Sequence, residues 1–148
     1  MTQKTRKLVV FGLACFVVLF LLAGAISISR LKANGLVHPL RTLPEQFPVH
    51  AYQSVVFPSD DLLLRGWYIP PQNGAVVIFV HGLGGNRSEL LAEADLLANV
   101  GYGALLFDLR NHGQSDGTVT TLGLAEADDV LAAARFVRSL PGGEAVKL

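Results

Sequence analysis

The chain has 148 residues, with 12 Lys and Arg against 12 Asp and Glu, so its formal net charge is zero. That balance excludes a charge-driven nucleic-acid partner, and nothing in it points to a strongly charged ligand. The single cysteine, Cys15, lies inside an apolar segment, which excludes an internal disulfide framework and a cysteine-based zinc site.

Residues 1–7 form a basic leader containing Lys4, Arg6 and Lys7. Leu8 to Ile28 carries no charge, and about 21 residues at about 1.5 Å each span the roughly 30 Å of a bilayer's hydrocarbon core. This segment reads as a single transmembrane helix, so the membrane is the first expected partner. Ala23-Gly24-Ala25 also fits the small-residue pattern of a cleaved signal peptide, which leaves that alternative open. Lys4, Arg6 and Lys7 precede the apolar run while Arg30, Lys32 and Arg41 follow it, a balance that places the bulk of the chain outside the cytoplasm by a small margin. Residues 29–48 hold Pro39, Pro44 and Pro48 and fit neither a packed helix nor a central strand. They read as a spacer that keeps the folded part away from the membrane surface. His38 and His50 flank this region without metal-ligand spacing to any other residue.

The folded part is expected over 49–148. Tyr52 to Phe57 and Leu62 to Ile69 predict a hairpin about the turn cluster Pro58-Ser59-Asp60-Asp61. Val76 to Val80 is an unbroken run of β-branched and aromatic residues, which predicts a strand buried on both faces. It breaks into His81, Gly82, Leu83, Gly84 and Gly85, a glycine-rich loop at the end where parallel sheets place their chemistry. A helix over Ser88 to Val100 follows, with Asn86 and Glu89 as a capping-box-like start and Gly101 as its stop. Gly103 to Leu109 predicts another strand. Leu124 to Leu140 predicts a helix with Ala127, Val130, Leu131, Ala134 and Val137 on one face. Pro141-Gly142-Gly143 ends it, and Glu144 to Leu148 begins a further strand.

Two motifs carry a family resemblance. His81 to Gly85 resembles the His-Gly loop of the α/β-hydrolase superfamily, and Asp108-Leu109-Arg110-Asn111-His112-Gly113-Gln114-Ser115 resembles the loop after that family's fourth strand, usually Asp-x-Arg-Gly-His-Gly-x-Ser. Asn111 departs from the pattern, although asparagine tolerates a left-handed backbone. The resemblance covers Val49 to Leu148 and is nearest to membrane-anchored or secreted members of the serine-aminopeptidase-like branch, which includes lipases, esterases and peptidases. It implies an α/β fold, the amino-terminal part of an α/β-hydrolase domain preceded by one transmembrane helix. It also implies a substrate that is an ester, thioester or amide, no cofactor or metal, and the Leu83 backbone N–H as one donor of an oxyanion hole. His81, Gly82, Gly84 and Gly85 would shape that loop, and Asp108, Arg110, His112 and Ser115 the second. Asp108 and Arg110 are a possible ion pair.

Gly113-Gln114-Ser115-Asp116-Gly117 matches the G-x-S-x-G elbow pattern. The residues after it, Thr118 to Thr121, do not favour a helix start, so Ser115 reads as a loop brace bonded to backbone. In the family the nucleophile follows the fifth strand, and the acid and histidine come later. The expected reading is therefore a hydrolase fragment lacking its triad and inactive alone. The rival is a non-catalytic, membrane-tethered binding module.

Overall fold

The computed structural model describes residues 2–140. The expected strand Glu144 to Leu148, and Pro141-Gly142-Gly143 before it, lie outside the described residues. The chain divides after Leu36 into two units. The first is almost wholly α1, Gln3–Val37, none of whose 35 residues is buried. By length and composition α1 is able to cross a membrane. It runs nine residues past the expected boundary at Ile28, because nothing from Ser29 to Val37 breaks a helix. It stops where Pro39 disfavours helical backbone at His38.

The second unit begins at Val37 and not at residue 49. The expected spacer 29–48 is thus corrected at both ends: its first part is helix, and the remainder lies on the folded unit. Phe47 packs on Trp67 with ring centroids 5.3 Å apart, Pro48 is buried, and the Val49 N–H donates to Asp95.

The sheet is built from β1 (Gln53–Ser59), β2 (Leu62–Ile69), β3 (Val76–Val80) and β4 (Gly103–Phe107) in the order β1-β2-β4-β3. The predicted hairpin is present, with Gln53 opposite Tyr68 and Ser59 opposite Leu62, and β2 pairs antiparallel with β4. β3 runs parallel to β4. All five β4 residues are buried, and their alternation separates two cores. Leu105 and Phe107 join Phe57, Leu64 and Val137 of α3 (Glu126–Ser139), whereas Ala104 and Leu106 join Trp67 and Leu91 and Ala94 of α2 (Leu91–Ala98).

β3 is not buried on both faces as predicted. Only Val76 is buried and Val80 is 38% exposed, because β3 has a single hydrogen-bonded neighbour among the described residues. α2 also starts later than Ser88. Asn86 Oδ1 accepts from the Ser88 N–H and hydroxyl, closing a local turn, while Glu89 turns away to the Gly82 N–H, so the two residues form no reciprocal box. In α3 the inward face is Glu126, Asp129, Ala132, Ala133 and Val137, with Ala127 and Leu131 exposed. The helix is rotated from the apolar prediction because Asp129 is pulled inward by an arginine.

Candidate functional site

Parallel pairing of β3 with β4 sets Val80 opposite Phe107, so the loops that follow, 81–86 and 108–117, leave the sheet side by side. Two histidines tie them together. The Leu109 N–H donates to His81 Nε2 at 3.1 Å, and the Gly84 N–H donates to His112 Nε2 at 3.0 Å. Each Nε2 is therefore unprotonated, which places the ring proton on Nδ1. His81 Nδ1–H then donates to Gly82 O at 2.8 Å, and His112 Nδ1–H to Arg110 O at 2.9 Å. Burial lowers the His81 pKa, as does neighbouring His112, although the Gly82 carbonyl opposes them.

This bonding orients Leu83. Gly82 O accepts from both His81 Nδ1–H and the Gly85 N–H, the latter at 3.1 Å. A trans peptide is planar, so fixing that carbonyl points the Leu83 N–H the opposite way, out of the turn. The Gly82 N–H is taken by Glu89 at 3.0 Å, Gly84 by His112 and Gly85 by Gly82, whereas the Leu83 N–H has no partner among the described residues. Gly84 has φ +78°, a backbone that glycine adopts without strain. Beside Leu83 lies a cavity of about 430 Å³, lined by Val80, Leu83, Leu109, His112 and Val130 among others.

The second loop is organised by Asp108. Its buried carboxylate accepts from the Arg87 N–H at 2.7 Å, from Arg87 Nη1 at 3.1 Å and from the Gln114 N–H at 2.8 Å. Arg87 in turn lies over the Trp67 ring, 4.6 Å from its centroid. Burial lowers the Arg87 pKa while Asp108 raises it. A Cβ at Gly113 would come within 2.1 Å of the Asp108 carboxylate, so this turn has room for glycine alone.

Asp108 and Arg110 do not pair with each other. Arg110 binds the buried Asp129 through Nη2 at 2.8 Å and Nε at 3.0 Å, and its N–H donates to the same carboxylate. Hydrogen bonding to Asp129 raises the arginine's pKa. Ser59 donates to Asp129 at 2.7 Å, which links the hairpin turn to α3.

Ser115 is fully buried. Its hydroxyl donates to Asp108 O at 2.6 Å and accepts from the Arg65 N–H at 2.9 Å. No helix follows it, so the geometry is that of a brace. Asn111 takes φ +60°, the left-handed conformation expected of it. Among the described residues no three His, Cys, Asp or Glu side chains are grouped to hold a metal.

Arg87 and Asp129, which complete both carboxylate networks, were not recognised from the sequence. Their partners lie 21 and 19 residues away, and no local pattern marks such pairings. The first loop thus holds the Leu83 N–H oriented and unpaired, in a residue that lines an apolar cavity. Such a donor can stabilise a developing oxyanion.

No family model matches the chain. The uncharacterized protein YfhR of Salmonella typhimurium is 30% identical over 142 residues, covering 92% of this chain and 47% of that protein. The chain thus spans about half the length of this curated relative. Among solved structures, the Pyrococcus furiosus esterase Pf2001 is similar at 30% identity with a TM-score of 0.66, over 72% of this chain and 45% of that one. The α/β-hydrolase GrgF from a Penicillium species is similar at 26% identity and a TM-score of 0.54, over 62% of this chain and 33% of that one.

Proposed function

We propose that this chain, which is related to the amino-terminal part of the α/β-hydrolases, supplies the oxyanion-binding loop of a membrane-anchored serine hydrolase acting on an ester, thioester or amide. The observation that carries this reading is the unpaired Leu83 N–H, held outward by the His81 and Gly85 bonds to Gly82 O. As an acyl group is attacked, its carbonyl oxygen gains charge, and an amide already aimed at that position stabilises it without reorganisation. A second donor, the nucleophile, the acid and the base would come from outside residues 2–140. The similar esterase structure supports the reaction class, and the length and apolarity of α1 support the anchor.

The reading is tested by treating the complete protein with a fluorophosphonate, mapping the modified residue, and assaying short-chain aryl esters. The expected label is on a serine outside residues 2–140, with ester turnover lost in parallel. An absence of both labelling and turnover would favour the binding-module reading.

A further inference from the structure

The segment that follows α1 is fastened across both loops. Val37 O accepts from the Thr120 N–H at 2.8 Å and from Asn111 Nδ2 at 3.4 Å. The Arg41 guanidinium donates to Ser115 O at 3.0 Å, to Asn111 Oδ1 at 3.3 Å and to Gly117 O. Thr42 Oγ1 donates to Gly84 O at 3.3 Å, and Asn86 Nδ2 donates to Thr42 Oγ1 at 3.0 Å. Arg41 has no carboxylate partner among the described residues, so it acts as a fork for neutral oxygens.

Asn111 is the receptor in this arrangement. A glycine would meet its φ of +60° equally well, whereas asparagine adds an amide held at both ends: Oδ1 by Arg41, and Nδ2 by Thr120 Oγ1 and Val37 O. Gly84 is likewise gripped on two sides, its N–H by His112 and its carbonyl by Thr42.

We propose that residues 37–42 form a latch in which Arg41 and Asn111 act as positioning residues, holding the second loop so that His112 can fix Gly84 and with it the Leu83 N–H. The catalytic consequence rests on the hydrolase reading; the latch itself does not. Asn111→Gly, which the backbone accepts, and Arg41→Lys, which keeps the charge and the tryptic site, are compared with the parent chain in detergent. Both variants should be cleaved by trypsin after residue 41 at least about tenfold faster and lose about tenfold in exchange protection at the Gly84 and Leu109 amides. Asn111→Asp keeps the acceptor for Arg41 but loses the donor to Val37 O, and should fall between the parent and Asn111→Gly in both measurements.

Unchanged cleavage and exchange in folded Asn111→Gly and Arg41→Lys would overturn the latch. Faster cleavage with unchanged amide exchange would overturn its positioning role. In the complete protein the same two variants should lower kcat about tenfold while KM stays within about twofold. A change confined to KM would also contradict positioning. Because proteolysis and exchange need no turnover, an inactive protein would remove the hydrolase reading and leave the latch to be judged on those two measurements.

Discussion

His81 and His112 each hold the other's loop: Leu109, three residues before His112, donates its N–H to His81, and Gly84, three residues after His81, donates its N–H to His112. The rings lie 4.9 Å apart. Both acceptor nitrogens must be unprotonated, so the clamp depends on neutral imidazoles and fails when either takes up a proton.

The pH dependence has a definite sign. Burial depresses the His81 pKa below the ordinary imidazole value of 6.5, opposed by the Gly82 carbonyl, with His112 lowering it further and Asp108 and Glu89 raising it. Below pH 6.5 the unfolded chain therefore binds the proton more readily than the folded one, and stability falls as the pH drops from there through the folded value. Unfolding by urea in detergent should show a midpoint that declines on acidification below about pH 6.5, and His81→Ala should flatten that decline. Nitrogen NMR should find the proton on Nδ1 of both rings at pH 8. Observation of the Nε2–H form at either ring would contradict the clamp.

Ser115 is expected to behave as a brace. Ser115→Ala removes one donor to Asp108 O and leaves the Arg65 N–H without its acceptor, a loss of about 1 to 3 kcal/mol in stability. No fluorophosphonate should attach to it, since its hydroxyl is buried and fully bonded. Stoichiometric labelling that disappears in Ser115→Ala would show the loop to be a true elbow.

Asp129 gathers Ser59 and three nitrogens of Arg110. Removing this buried carboxylate leaves Arg110 with only the exposed Asp60 as a charged partner, so Asp129→Ala should cost about 3 kcal/mol, read as a lowered unfolding midpoint. Asp128→Ala, at an exposed neighbouring position, should stay within about 0.5 kcal/mol.

The strands were legible in the sequence because alternation and turn residues act locally, and β1 to β4 fall close to their predicted positions. Ser115 could be separated from an elbow for the same reason, by the residues that follow it. What escaped was set by distant partners. Asn86 and Glu89 have capping-box chemistry, yet Glu89 is drawn to Gly82 by the tertiary fold. Asp129 lies in the first turn of α3 and nothing local marks Arg110 as its partner, and the prolines of 38–48 gave no sign that Arg41 and Thr42 grip the loops. Local rules assign an element; they do not choose its partner.

Membrane topology is open to direct measurement. Lys4, Arg6 and Lys7 precede the apolar run Leu8 to Ile28, and on that basis we expect the residues after Arg30 on the extracytoplasmic side. A phosphatase reporter fused after Leu148, active only when exported, should be active. A fusion active only with a cytoplasmic reporter would reverse the orientation.

The most direct test of the oxyanion role is to remove the single amide on which it depends. In the complete protein, Leu83→Pro deletes that N–H, whereas Leu83→Ala keeps it and controls for the lost side chain. Ester turnover is measured for both, with circular dichroism confirming a folded chain. We expect Leu83→Pro to lower kcat by about 100-fold, or about 3 kcal/mol, and Leu83→Ala to remain within about threefold of the parent. A folded Leu83→Pro protein that turns over ester as well as Leu83→Ala does would contradict the assignment of Leu83 as an oxyanion donor.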